Sequence, residues 1–232
     1  MSPNTPHGRV GRPPVTSRTQ ILSAARRLID RDGWDKLTIR RLAAEIGIGA
    51  TTLYHHVRDK EDLLLLLIRE YAEQIPQPEL PDEPRERIIT AAAAIHDSLA
   101  AWPWAAEVLT TDGFIARLGD SALWLVEAIL SGAVEHGCTP EQSVYVFRSI
   151  WYYTVGEILV RAHSARAQAV DELPTAEDFV QLGDTTQLPR LAALSEQWIK
   201  LATQDTFALG LRAFTDGLLA QSTSPAPQPH LG

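Results

Sequence analysis

The stretch TIRRLAAEIGIGATTLYHHV, residues 38–57, constrains the fold more than any other part of the chain. Ile39, Leu42, Ala43 and Ile46 recur at three- and four-residue spacing, which predicts a short helix over 39–45 with one face turned inward. Thr38 stands where an N-cap belongs, and Gly47 where the chain leaves the helix through the left-handed region. A second short helix is predicted over about 50–56, with Gly49 at its cap and Leu53 and Val57, four apart, as its buried seam. Ahead of both, Ile21, Leu22, Ala25, Leu28 and Ile29 predict a longer helix from Ser17 to the helix-ending pair Asp32-Gly33. Ala43 and Ala44 are small enough to let helices cross closely. Three helices joined in this way make a helix-turn-helix unit.

Every later pattern is also helical, and the expected fold class is all-α: a three-helix N-terminal domain followed by a larger helical one. Asp59 caps a helix reaching about Gln74, with Glu61 and Asp62 at the positive end of its dipole. The prolines of PQPELPDEP, residues 76–84, impose a loop. Further helices are predicted over 85–101, from Pro103-Trp104, over 118–136, over 140–163, over 188–201 and over 204–220, with a loop at 165–186. Thr139-Pro140-Glu141-Gln142 opens the 140–163 helix with a threonine cap, proline at the first position and glutamine three residues after the cap. The domain reading is a disordered basic arm at 1–15, the helix-turn-helix domain at 16–62, the helical body at 63–220 and a disordered tail at 221–232.

Charge divides the chain more sharply than composition does. The net charge is −8, but residues 1–60 hold eleven Lys and Arg against five Asp and Glu, a net of +6, which leaves −14 on the remainder. A basic head on an acidic body suits phosphate attraction at one end and a separate task at the other. Cys138 is the only cysteine, so no internal disulfide forms, and a reducing compartment is expected. The N-terminus carries no apolar signal core, and the longest apolar run, LLLLLI at 63–68, falls short of a membrane span. The expected location is the cytoplasm, with no membrane partner. No Gly-flanked nucleophile, carboxylate–histidine helix pair or phosphate loop is present, which disfavours an enzyme.

In a helix-turn-helix unit the second short helix enters the major groove of double-stranded DNA through its N-terminal residues. Here those residues are Gly49, Ala50, Thr51, Thr52, Tyr54 and His55. Gly49 and Ala50 permit close backbone approach, and Thr51 and Thr52 can bond a base edge or phosphate or offer a methyl to thymine. Tyr54, His55 and Lys60 suit phosphate contacts, and Arg40, just after Thr38, is placed to reach a guanine or a phosphate. A metal site at His55 and His56 is the rival reading. Adjacent helical residues diverge by about 100°, ligand pairs on helices sit four apart, and no cysteine or third histidine lies nearby, so no metal or cofactor is expected. Plain core packing is a further alternative, and the basic head argues against it.

The run LTIRRLAAEIGIGATTLYHHVRDKEDLL, residues 37–64, resembles the DNA-binding head of the TetR family of bacterial regulators. Leu37-Thr38, Gly47, Leu53-Tyr54-His55-His56-Val57 and Lys60 carry the likeness, which covers roughly residues 17–65. WPWAAEVL (102–109), WYYTVGEIL (151–159) and FALGLRAFTDGLL (207–219) are similar to the C-terminal domain of the tetracycline-repressor subgroup. The resemblance implies a dimeric repressor released from a palindromic operator by a small-molecule effector. It also places Leu109 and Val160 where tetracycline repressors use a histidine and a glutamate to hold a metal–drug chelate, and so implies a different effector. An activator or a ligand-independent regulator of the same fold, and an interaction protein using the acidic body alone, are the alternatives.

Within the body, Val144, Phe147, Arg148, Trp151 and Val155 share a stripe on the 140–163 helix. An arginine in such a stripe needs a partner, either an acid such as Glu107 or an anionic ligand group. A cavity lined by His96, Trp104, Phe147, Arg148 and Trp151 is expected to take a large, flat, partly polar molecule, against the alternative that these aromatics only form a core. On the last helix Phe207, Leu211, Phe214 and Leu218 form a seam beside Gly210 and Gly217, open either to a second copy of the chain or to packing within one copy.

Overall fold

The computed structural model describes residues 17–74, 77–110, 118–169, 188–195 and 197–222, and every regular element among them is a helix. The described residues fall into two compact units that meet in the chain between Glu70 and Tyr71. The expected arm at 1–15, most of the 165–186 loop and residues 223–232 of the expected tail lie outside the described residues.

The first unit holds α1 (Arg18–Asp32), α2 (Ile39–Ile46), α3 (Ala50–Tyr54) and α4 (Lys60–Ala72), whose last two residues belong to the second unit. Local chemistry sets the helix ends. Ser17 Oγ accepts from the Gln20 N–H at 3.2 Å while Gln20 Oε1 accepts from the Ser17 N–H at 3.0 Å, a reciprocal cap that starts α1. Thr38 Oγ1 accepts from the Arg41 N–H at 3.2 Å and starts α2. Gly47 ends α2 at φ 76°, and the following Ile48 N–H returns to the Ala43 carbonyl at 3.0 Å. Asp59 Oδ1 accepts from the Asp62 N–H at 2.7 Å at the start of α4.

α1 packs on α2, and α2 on α3. Ile21, Leu22, Ala25 and Leu28 of α1 are buried, as are Leu42 and Ala43 of α2, Leu63 and Leu67 of α4, and Leu37 and Val57 from the turns. α3 buries only Leu53. Five residues do not hold a helix by backbone bonding alone, so α3 depends on that side chain, whose burial contributes roughly 1.5–3 kcal/mol. The helix stops at Tyr54, two residues short of the expected end, because the His55 and His56 N–H groups bond carbonyls three residues back and tighten the last turn.

The second unit holds α5 (Pro84–Ala100), α6 (Pro103–Val108), α7 (Asp120–Glu135), α8 (Pro140–Ala169), α9 (Pro189–Leu194), α10 (Trp198–Ala202) and α11 (Phe207–Ser222). α5 packs against α7, α8 and α11, and α8 against α6, α7 and α11. Ile88, Ile129, Ile150 and Leu211 are among the largest side chains removed entirely from solvent. Gly132 of α7 sets one crossing: a Cβ there would lie 2.9 Å from the Pro84 carbonyl oxygen and 2.8 Å from Ile88 Cγ1, so only glycine permits this approach of α7 to α5.

Two helical expectations change. α8 continues to Ala169 rather than ending near His163. The single helix expected over 188–201 is two short ones, and Ser195 Oγ donates to the Ala192 carbonyl at 2.9 Å where the first ends, the local bond that competes with helix continuation. Among the described residues no helix is long and apolar enough to cross a membrane.

Candidate functional site

α3 turns everything but Leu53 outward. Thr51, Thr52, Tyr54, His55 and His56 are exposed, Gly49 is exposed at the cap, and Ala50 is half-buried beside it. No acid occurs between Ile46 and Arg58, so a polyanion approaching this face meets hydroxyls, rings and backbone rather than repulsion. Among the described residues no group of three or more His, Cys, Asp or Glu could hold a metal ion. Thr38 and Arg40 are exposed at the first turn of α2. The Thr38 hydroxyl accepts the capping N–H and keeps its own proton for a second acceptor.

Lys60 is placed differently from a solvent-facing phosphate contact. Its Nζ donates to the Asp35 carbonyl at 3.0 Å and stands 4.8 Å over the Trp34 ring. Arg41 reaches the same turn: Nη1 donates to the Lys36 carbonyl at 2.9 Å and Nη2 to Asp32 Oδ2 at 2.6 Å. Arg31 Nη2 lies 3.4 Å from Glu45 Oε2, so Asp32 and Glu45 are each paired with an arginine. The partners sit on different helices, so packing rather than spacing along one helix sets these pairings.

Arg26 and Glu70 meet at 3.1 Å with angles outside hydrogen-bond geometry, an ion pair of the head alone.

Of the five residues expected to line a cavity in the body, Arg148 and His96 are placed apart from the other three. Phe147, Trp151 and Trp104 are buried, but Arg148 is exposed and donates to the Tyr152 hydroxyl at 2.6 Å. The buried face of α8 runs through Val146, Phe147, Ile150, Trp151, Thr154 and Ile158, which leaves Val144 and Arg148 outside its edge. Arg148 instead lines an open groove of about 380 Å³ with Glu141, Val144, Tyr145, Ser149 and Tyr152, all on α8. His96 Nε2 lies 2.8 Å from Glu157 Oε2 and Nδ1 lies 3.1 Å from Asp97 Oδ1, and the ring stacks on Phe207 at 3.6 Å. At the helical rise, the level of Glu157 stands about 9 Å along α8 from Trp151 and about 15 Å from Phe147, so His96 belongs to another layer.

That layer also seats α11. Arg161 pairs with Glu157 and lies 3.2 Å from Asp205, and the Tyr153 hydroxyl donates to the Phe207 carbonyl at 3.3 Å. Burial and the neighbouring Glu157 and Asp205 push the Tyr153 phenol above its ordinary pKa. Phe207, Leu211 and Leu218 are buried within the chain, so the expected seam of α11 packs internally, and Phe214 is left 38% exposed. A second aromatic group, Tyr71 stacked on Trp102 at 4.2 Å with Trp104 5.7 Å beyond, joins the ends of α4 and α6. Tyr71 was not among the aromatic residues expected to line a cavity.

Residues 21–67 match the family described as bacterial regulatory proteins, tetR family, and residues 77–222 match the one described as tetracyclin repressor-like, C-terminal domain. An HTH-type transcriptional regulator of Saccharopolyspora erythraea is 36% identical over 99 residues, 42% of each chain. The HTH-type transcriptional repressor DrrR1 of Streptomyces coeruleorubidus is 27% identical over 219 residues, covering 90% of this chain and 79% of that protein. The solved structure of the Streptomyces coelicolor TetR family protein ActR in complex with actinorhodin is similar with a TM-score of 0.71 at 24% identity, covering 91% of this chain and 99% of ActR.

Proposed function

The chain belongs to the tetR family of bacterial regulatory proteins and is a DNA-binding transcriptional regulator, and from that premise we propose that it is a cytoplasmic repressor that holds a palindromic operator as a homodimer and releases it when a small aromatic or amphipathic effector enters the helical body. The observation that carries this reading is α3. It buries one side chain and exposes Thr51, Thr52, Tyr54 and His55 together on an acid-free surface, with Thr38 and Arg40 exposed at the start of α2. Thr51 and Thr52 address base edges in the major groove, and Thr38, Arg40, Tyr54 and His55 address phosphates.

The outer faces of α8 and α11 support the dimer. Val144, Tyr145, Tyr152 and Val160 are 49, 57, 57 and 66% exposed on α8, and Leu209 is 72% exposed on α11. Gly156 and Gly217 leave open space where a Cβ would stand, which lets another helix approach closely. A second copy covers this apolar surface by two-fold symmetry and sets two α3 helices about one DNA turn or more apart. Leu109 is buried and Val160 exposed, and neither side chain can ligate a metal, so the effector is held by apolar and aromatic contact with Trp104, Phe147 and Trp151. An effector that favours one conformation of the body shifts the population away from the DNA-bound form, with a coupling of about 1–3 kcal/mol.

The test is selection of duplexes from a random-sequence pool by the full-length chain at low ionic strength, with sedimentation of the complex. The expected result is an enriched palindrome carrying two or more copies, and a Val160→Asp chain that sediments as a monomer and loses the palindrome. A pool that shows no enrichment removes the reading.

A further inference from the structure

His96 stands where α5, α8 and α11 meet. Its ring lies flat on Phe207, the first residue of α11, at 3.6 Å. Nε2 lies 2.8 Å from Glu157 Oε2 of α8, and Nδ1 lies 3.1 Å from Asp97 Oδ1 of α5. The ring and Glu157 are largely buried, whereas Asp97 is exposed. An ionised carboxylate only accepts, so each of these bonds needs an N–H, and a neutral imidazole has one. A ring that satisfies both carboxylates carries two protons and a positive charge.

The same cluster seats the start of α11. Glu157 also accepts from Arg161, whose Nη2 lies 3.2 Å from Asp205 Oδ1. Asp205 Oδ1 accepts the Phe207 N–H at 3.1 Å, and the Tyr153 hydroxyl donates to the Phe207 carbonyl at 3.3 Å. Among the described residues, the titratable and charged groups of this cluster are therefore Asp97 on the same helix as His96, Tyr153, Glu157 and Arg161 on α8, and Asp205 ahead of α11. With the ring charged, three carboxylates meet two cations. With it neutral they meet Arg161 alone.

We infer that His96 is a proton-sensing latch: as an imidazolium it ties α5 to α8 beneath Phe207, and release of its proton to solvent frees the Asp97 bond, loosens the start of α11 and weakens the dimer. Histidine is the side chain that ordinarily changes charge between about pH 5 and 8, a range in which carboxylates stay ionised. The latch therefore holds at the acid end of that range and slackens towards the alkaline end. Its link to the dimer rests on the dimer surface proposed above, to which Leu209, two residues beyond Phe207, belongs. The proton site itself rests on one chain alone.

The probes, all on the full-length chain from about pH 5.5 to about pH 8.5, are long-range nitrogen–proton NMR of the histidine rings, hydrogen exchange over 205–212 corrected for intrinsic rates, and dimer dissociation by sedimentation. Contacts to the Phe207 ring identify the His96 signals. His96→Gln, which keeps a donor for Glu157 but gains no proton, is the comparison. At the acid end both His96 nitrogens are expected to carry protons. At the alkaline end one is expected to be bare, with protection over 205–212 about tenfold lower and the dimer weakened by a similar factor. In His96→Gln both changes with pH are expected to vanish. A neutral ring at the acid end overturns the inference in the unaltered chain, whether or not the variant folds. So does a His96→Gln chain whose protection follows pH as the wild type does. If protection follows the proton while dissociation stays constant, the link to the dimer is overturned, and a Val160→Asp chain that remains dimeric then shows that the surface reading is what failed.

Discussion

Arg40 and Arg41 are neighbours with opposite fates. One step around the helix turns Arg41 back onto Asp32 and the Lys36 carbonyl, while Arg40 stays exposed on the side of α2 that carries Thr38. Arg40→Ala is therefore expected to weaken binding to all duplexes alike and to lower the salt slope by about 0.9, read by titration over a salt series. Weakening confined to one sequence would instead make Arg40 a base reader. Phe147 and Arg148 divide in the same way, one buried and the other exposed beside Tyr152. The exposed face of α3 was legible because a three-helix unit has only one outward face on its last helix. The effector residues were not, because apolar periodicity marks a buried face without saying whether protein or ligand fills the space against it.

Elements were legible where their ends carry local chemistry. Ser17, Thr38, Asp59 and Thr139 each accept the N–H three residues on, so those helix starts follow from sequence alone. Gly47 closes α2 for a backbone reason only, since an added Cβ would touch nothing within 4 Å. Gly47→Ala is expected to cost about 1–2 kcal/mol, seen as a lower denaturant midpoint with an unchanged m value. No loss would mean that the turn relaxes to another conformation. α9 and α10 were misread as one helix because apolar spacing continues across Ser195 while its side chain bonds backward. The length of α8 past His163 had no end signal to mark it.

At the scale of the whole molecule, an ion network ties the beginning of α5 to α11 across more than 120 residues of sequence. Arg212 donates to both carboxylate oxygens of Glu86 at 2.8 and 3.0 Å, and Arg85 to both of Asp216 at 2.5 and 2.9 Å. These bonds hold the Glu86 and Asp216 carboxyls below their ordinary pKa values. A carboxylate with a depressed folded pKa takes up more protons when unfolded, so its contribution is complete above the unfolded value of about 4 and fades as pH falls through the folded one. Melting temperature measured from about pH 6 down to about pH 3 is expected to fall less steeply in Asp216→Asn than in wild type. Parallel curves would show that the network does not couple to folding.

What residue order decided by itself was everything that acts over a few residues: the all-helical class, most helix starts, the left-handed stop at Gly47, the basic head and the outward face of α3. Those follow from steric limits on the backbone, from side chains that reach their own neighbours and from a periodicity of 3.6. What waited for the tertiary structure was the choice among equivalent partners: Lys60 on Trp34 and Asp35, Arg41 on Asp32, His96 on Phe207, and the seam of α11 turned inward against its own chain. A charge or an aromatic face has many eligible partners along 232 residues, and only close packing leaves one within reach.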